Sequence, residues 1–287
     1  MSKESIKKYG LFYIFILLLI FVSFLFYFDW QNSYRKLTFG MLDVGQGDAL
    51  FIESPSGVQM LIDGGPIHTI LAPLSKVMPL YDKKIDVLMI TNPDADHIGG
   101  FIDILKNYEV GYVIEPGTFN KSKTYQSVEN LIKEKGIKKI IAQKGMVLDL
   151  GAGAKTEILF PDRDVSYWST NDGSIVSKLT YGKNSIMLMG DSTKMTEAIV
   201  LSENSAQFLK SDILKIGHHG SHTSSSQAFV QAVVPTYALI SDGKGNSYGH
   251  PHQETLDTLN SFGIKILRTD LLGTIIFKID GVVLSLQ

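Results

Sequence analysis

The sequence predicts an α/β protein behind one membrane-spanning helix, and three observations carry that prediction. Leu11 to Phe28 is a run of eighteen residues without a charge, long enough to cross the hydrocarbon core of a bilayer. From Leu37 onward, short β-branched apolar runs alternate with helical stretches. Several of these runs end in turns that carry Asp and His. The fullest is TNPDADHIGG, Thr91 to Gly100, which follows the apolar run Ile85–Ile90 and leads into a helix from Phe101. The carboxyl end of a strand is where α/β structures place their sites.

The N-terminal run has Tyr13, Tyr27 and Trp30 near its ends, as an interfacial aromatic belt requires. Lys3, Lys7 and Lys8 precede it closely, whereas Arg35 and Lys36 follow further out and behind Asp29. That asymmetry places the N-terminus inside and the remainder outside. A cleaved signal peptide is the rival; the run is long for one and no Ala-x-Ala-like site follows. The expected layout is a cytoplasmic N-terminus over 1–10, an anchor over 11–28, a linker over 29–36 and one domain over 37–287. The localisation that follows is a single-pass cell-membrane protein with its domain extracytoplasmic.

Charge and composition exclude several functions. The chain carries −2 overall and residues 1–36 carry +3, so 37–287 carry −5 (−2 − 3). Such a domain has no general electrostatic attraction for nucleic acid, although a bound divalent metal would offset the charge locally. The absence of cysteine excludes disulfides, thiolate ligands and a Cys nucleophile.

In chain order, Leu37–Leu42 reads as a strand ending in the turn Asp43–Asp48, whose two aspartates are read as turn residues. Ala49–Glu53 and Val58–Ile62 form a hairpin closing on Asp63-Gly64-Gly65. Pro66–Leu80 gives mixed signals. Gly111–Ile114, Ile137–Ala142 and Thr156–Phe160 read as strands, with a helix over Ser127–Lys135. Pro161–Gly173 is irregular, and its Trp168 is read as packing. A hairpin over Ser174–Tyr181 and Ser185–Met189 ends at Gly190-Asp191, before a helix from about Thr193. Asp212–Ile216 is a strand ending in GHHGSH, and Gln227–Val233 a helix. Thr236–Ile240 is a strand followed by a glycine-rich loop to His250-Pro251-His252, which opens a helix through Leu259. Ile264–Leu267 and Thr274–Ile279 close the chain.

The chemistry-bearing residues cluster at these strand ends. Six of the seven histidines, His97, His218, His219, His222, His250 and His252, lie at strand ends or in glycine-rich turns; His68 reads as a loop residue. Asp63, Asp94, Asp96 and Asp191 occupy similar positions. Crowded carboxylates repel one another and a divalent cation relieves the repulsion. Strand ends converging on one rim supply what a two-metal hydrolytic site needs, nitrogen and oxygen ligands with open positions for water. Ser221 is a possible nucleophile but reads better as a turn cap.

An ordered set of motifs, LDVGQGDA (42–49), LIDGG (61–65), TNPDADHIGG (91–100), NDGS (171–174), LMGD (188–191), LKIGHHGSHTS (214–224) and YGHPH (248–252), resembles the metallo-β-lactamase superfamily, in its ComEC-type competence branch. The resemblance covers roughly 37–287 and implies an αββα sandwich with the metal site at one edge of the sheets. It implies metal ligation by residues at positions 92, 94, 96 and 97, by Asp191 as the carboxylate between two ions, and by His218 or His219. Asp63 would orient the site from behind the ligands, and His252 would lie beside it. The superfamily motif begins with histidine where this chain has Asn92. An amide oxygen is a poorer transition-metal ligand than imidazole, so the first metal position is expected to be weak, and Asn92→His to tighten it.

The expected cofactor is therefore a divalent metal, zinc or manganese, as one or two ions, with Asp96, His218, His219 and His250 as candidate catalytic residues. The function expected from the resemblance is a membrane-anchored hydrolase of phosphodiesters, a nuclease related to DNA-uptake proteins, with the membrane and DNA as partners and no protein partner inferable. The alternatives are hydrolysis of another ester or amide, such as a lactone or a cell-wall component, and a surface binding module whose site has decayed at Asn92.

Overall fold

A computed structural model describes residues 3–33 and 36–287, with side chains for residues 9–10, 12–27 and 36–287. Two compact units divide it, Met1–Arg35 and Lys36–Gln287. In the first, helix α1 spans Lys3–Ser33. Its described side chains are exposed along the length, Leu17 at 65% and Phe26 at 71% among them. Among the described residues no helix is long and apolar enough to cross a membrane. The expected anchor, Leu11–Phe28, includes side chains outside the described set.

The second unit is an α/β sandwich of two sheets. Its strands are β1 (Leu37–Met41), β2 (Leu50–Glu53), β3 (Gln59–Ile62), β4 (Lys84–Met89), β5 (Glu109–Glu115), β6 (Lys138–Ile141), β7 (Val147–Gly151), β8 (Ala154–Phe160), β9 (Val176–Tyr181), β10 (Asn184–Leu188), β11 (Ile213–Lys215), β12 (Tyr237–Ile240), β13 (Lys265–Arg268), β14 (Ile275–Ile279) and β15 (Leu284–Leu286). One sheet runs β15-β14-β1-β2-β3-β4-β5-β6 and the other β13-β12-β11-β10-β9-β8-β7. Strands β3 to β6 pair in parallel, as do β10 to β13.

Side-chain alternation builds the layers. Val87 and Met89 of β4 join the core between the sheets, with Phe39, Ile186, Ile213 and Leu239. Leu88 and the following Ile90 face the other way, onto Phe101, Ile104, Val128 and Ile132 of two covering helices. Leu214 and Ile216 likewise pack against helical residues Val200, Phe229 and Leu259 on the far side of the second sheet. Strands buried on both faces read as continuous apolar runs, which is why β4 and β11 were visible in the sequence. Two strands were not, β7 and β15; both are edge strands with short, weakly apolar patterns. Pro66–Leu80, unassigned from sequence, contains a single-turn helix at Leu71–Leu74 and buries Ile70, Leu74 and Met78.

Candidate metal centre

The turn after β4 and the loop after β3 are locked together by backbone contact. Gly64 N–H donates to the His97 carbonyl at 2.6 Å and Gly100 N–H to the Gly65 carbonyl at 2.8 Å. A Cβ on Gly100 would lie 2.0 Å from the Gly64 carbonyl oxygen, so only glycine permits the approach. The single-turn helix Ala95–Ile98 that carries Asp96 and His97 is thereby fixed against Asp63-Gly64-Gly65. On the second sheet, the turn after β11 puts His218 and His219 in left-handed backbone, φ 48° and 53°. Two successive non-glycine residues there cost on the order of 1–3 kcal/mol each, strain that is typically held at functional sites.

These elements bring five residues of the sequence reading together, Asp63, Asp96, His97, Asp191 and His219. His97 Nδ1 lies 2.9 Å from Asp63 Oδ2, and Asp63 also accepts from the Thr91 amide at 2.8 Å and from its hydroxyl. The other imidazole nitrogen, Nε2, is 3.1 Å from Asp191 Oδ2 but without hydrogen-bond alignment. His219 Nδ1 lies 2.9 Å from the Ser241 carbonyl oxygen. Its Nε2 sits 3.4 Å from Asp96 Oδ2 and 3.5 Å from Asp191 Oδ2, again without a hydrogen-bond partner. Asp191 Oδ1 is also buried and unpartnered. Native proteins seldom leave several buried polar atoms unsatisfied at one point. These come from three side chains, His97, Asp191 and His219, and with the Asp96 carboxylate beside them form a nitrogen and oxygen set suited to zinc or manganese. Asp96, His97 and His219 offer ligand atoms within 4.8 Å of one another, one of three such groups among the described residues.

Electrostatics agree with that reading. Burial alone would depress the His97 imidazole, but Asp191 and Asp63 outweigh it and hold the ring well above its ordinary range. The same contest, won by Asp191 and Asp48, pushes His219 up to about 10. Burial would raise Asp191, yet His219 and His97 hold it well below the usual carboxylate range. Both rings favour a proton in the absence of an ion, and an ion reaching both Nε2 atoms would take the place of such protons.

The remaining predicted residues fall into three places. His218 and His250 line the open cavity of about 150 Å³ beside the centre, together with Gln46, Asn171 and Tyr248. Burial lowers the pKa of both rings, and the nearby His219 and His218 charges help bring His250 down to about 4. His252 packs edge-to-face on the cavity-lining His250 at 4.9 Å between ring centroids, and its Nδ1 lies 3.1 Å from His222 Nδ1. Asn92 and Asp94 belong to a hydrogen-bond network. Asn92 Oδ1 accepts from the Asp94 amide at 2.9 Å, and its Nδ2 donates to Asn171 Oδ1 at 2.8 Å. Asp94 accepts from Asn120 Nδ2 at 2.6 Å and from the Thr170 hydroxyl at 2.8 Å. Ser221 shares its hydroxyl with Thr223 in the turn, as its reading as a cap required.

One reading is corrected. Asp48 is not a simple turn residue: it is buried and ion-paired with the fully buried ammonium of Lys215, and its other oxygen lies 3.5 Å from His219 Nδ1. Lys215 also donates to the Gly190 carbonyl at 3.1 Å, immediately before Asp191. The available signal was a lysine interrupting the apolar run Ile213–Ile216. By alternation it shares the face of Ile213, towards the core between the sheets, where a charge requires a partner.

Comparison with known proteins places this architecture. The family model "Metallo-beta-lactamase superfamily" matches residues 42–241. Among curated proteins, the chain is similar to ComE operon protein 3 of Bacillus subtilis, 33% identical over 257 residues, covering 83% of this chain and 32% of that protein. It is 30% identical over 241 residues to competence protein ComA of Neisseria gonorrhoeae, covering 82% of this chain and 31% of that one. The chain therefore spans about a third of the length of these relatives. Among solved structures, it resembles the metallo-beta-lactamase fold protein YhfI from Bacillus subtilis, with TM-score 0.52 and 13% identity over 80% of this chain and 96% of that one. It also resembles CmlA, a diiron β-hydroxylase from Streptomyces venezuelae, with TM-score 0.55 and 14% identity over 85% of this chain and 54% of that one.

Proposed function

The chain belongs to the metallo-β-lactamase superfamily, and from that premise we propose that it is a metal-dependent phosphodiesterase that cuts DNA, anchored in the membrane by its N-terminal helix. The observation that carries this reading is the convergence of unpartnered buried donors from His97, Asp191 and His219, with Asp96 beside them. These four side chains would hold the ion, with Asp63 and the Ser241 carbonyl fixing the two imidazoles from behind; such outer contacts set ring orientation. A bound divalent ion supplies Lewis acidity toward a phosphoryl oxygen and lowers the pKa of water.

The other residues do ordinary side-chain work. His218 is engaged at Nδ1 by the Thr223 hydroxyl, and burial lowers its pKa, so its Nε2 is suited to accept a proton from an attacking water rather than to supply one to a leaving group.

The relatives' competence names motivate DNA as the substrate, and the cavity mouth supplies a means of gripping it despite the domain's net negative charge. Tyr248 is 66% exposed and stacks on His250 at 5.7 Å between centroids and 21° between planes. Asn246 holds the loop in place, accepting from the Tyr248 and His250 amides at 3.2 and 3.0 Å. A fixed aromatic face of this kind binds an unstacked base with about 1–3 kcal/mol. The full chain with manganese or zinc is expected to hydrolyse both single-stranded DNA and bis-p-nitrophenyl phosphate. Tyr248→Ala should raise KM for DNA by roughly 5- to 150-fold and leave the small diester unchanged. Hydrolysis of lactones with no turnover of either phosphodiester would overturn the assignment.

The anchor rests on the uncharged run Leu11–Phe28 and on the exposed apolar length of α1, a surface that water does not favour. With Lys3, Lys7 and Lys8 inside, residues 37–287 face outward. Protease added to intact cells should digest that domain; protection until lysis would reverse the orientation.

A further inference from the structure

The residues around the rim divide into two sets by a simple criterion: whether their polar atoms are already spoken for. On one side, His97 Nε2, His219 Nε2 and Asp191 Oδ1, with Asp48 Oδ1 and His250 Nδ1 near them, are buried with no hydrogen-bond partner. On the other, Asn92 uses both ends of its amide and Asp94 uses both carboxylate oxygens, on partners that are themselves held. Asn120, which donates to Asp94, accepts from the Ser122 amide at 2.8 Å through its own Oδ1. Asn171, which accepts from Asn92, sits in a loop pinned by Asp172, whose oxygens accept from the Thr193 and Ser169 hydroxyls. An ion at Asn92 and Asp94 would have to break charge-assisted bonds that the fold has built around neutral amides.

A second ion on the opposite side meets a different obstacle. The two other groupings of ligand atoms that lie close enough, Asp48 with Asp191 and His219, and Asp48 with Asp63 and His97, both depend on Asp48. One oxygen of that carboxylate, Oδ2, pairs with the buried ammonium of Lys215, and although Oδ1 has no hydrogen-bond partner, this fixed cation beside it repels another.

Resting on the metal-site reading above, we infer that this centre takes a single divalent ion, on Asp96, His97, Asp191 and His219, and that the network of Asn92, Asp94, Asn120, Thr170 and Asn171 replaces a second metal position with a hydrogen-bonding wall. Asn171 lines the cavity, and its Nδ2 has no acceptor among the described residues, so it is the donor this wall presents to a substrate oxygen. Asn92→His does not rebuild a second position, because Asp94 stays engaged by Asn120 and Thr170.

The test is stoichiometry. The full chain, purified in detergent and stripped by chelation, is dialysed to equilibrium against zinc or against manganese, and bound metal is measured by mass spectrometry. One ion per chain is expected for the parent, for Asp94→Asn and for Asn92→His, with the manganese form showing the spectrum of an isolated ion in electron paramagnetic resonance. Two ions per chain with the second lost in Asp94→Asn, or a spin-coupled manganese pair, would overturn the inference while leaving the metal site standing. No bound ion in the parent would overturn the metal reading and this inference together. One ion bound without turnover of any phosphodiester would support the inference and remove the proposed activity.

Discussion

Asp191→Ala is expected to strip the centre of its metal and lower phosphodiester hydrolysis by at least about 1000-fold, a transition-state loss on the order of 4 kcal/mol. Asp191 is the residue that both imidazoles share: it lies 3.1 Å from His97 Nε2 and 3.5 Å from His219 Nε2. Without it, the two rings, 5.5 Å apart between centroids, keep only Asp96 of the four as a carboxylate within reach of both, and an ion held there would lose one of its two carboxylates. The fold should survive. Asp191 lies beyond the end of β10, and the three apolar clusters that hold the sandwich together do not include it. Metal content and thermal melting of the same preparation check both halves. Retained metal and turnover in a folded Asp191→Ala protein would show that the centre is elsewhere.

Lys215→Met should destabilise the domain by about 3–5 kcal/mol, because it leaves the Asp48 carboxylate buried without its counter-charge. The Coulombic support of Lys215 and His219 is what holds Asp48 below the ordinary carboxylate range against its burial. Stability from a carboxylate depressed in this way is present above its unfolded pKa and is lost as pH falls through the folded one. The Met variant should therefore be most destabilised near neutral pH and approach the parent in acid. The double variant Asp48→Leu, Lys215→Met removes both charges, and replacing a buried pair by apolar groups is commonly tolerated. It should recover much of the loss. Denaturant unfolding of the four proteins in one cycle measures this. A Lys215→Met protein as stable as the parent would mean that Asp48 is not ionised in the fold.

The sandwich was legible because strands buried on both faces leave uninterrupted apolar runs, as in Ile85–Ile90, and because Asp and His recur where those runs stop. Asp63, Asp96, His97, Asp191 and His219 could be found that way, each being a local feature. Asp48 could not, because its role is set by a lysine 167 positions later. A turn such as DVGQGD satisfies local propensity whether or not a charge lies beneath it. The engagement of Asn92 was only half visible: the Asp94 amide on its Oδ1 is a local turn, but Asn171, which accepts from its Nδ2, lies 79 positions away, and no spacing in the sequence encodes that pair. His252, placed beside the site by the YGHPH motif, packs edge-to-face on His250 at 4.9 Å between ring centroids while its Nδ1 meets His222. Single-turn helices such as Leu71–Leu74 and Ala206–Leu209 are too short for a periodicity to show.

The central claim is that four strand-end residues from two sheets hold a metal on which phosphodiester hydrolysis depends. The full chain treated with a chelator until mass spectrometry finds no bound ion should have no activity toward bis-p-nitrophenyl phosphate. Adding back zinc or manganese at one equivalent should restore it. Undiminished hydrolysis by protein shown to be free of metal would contradict the account.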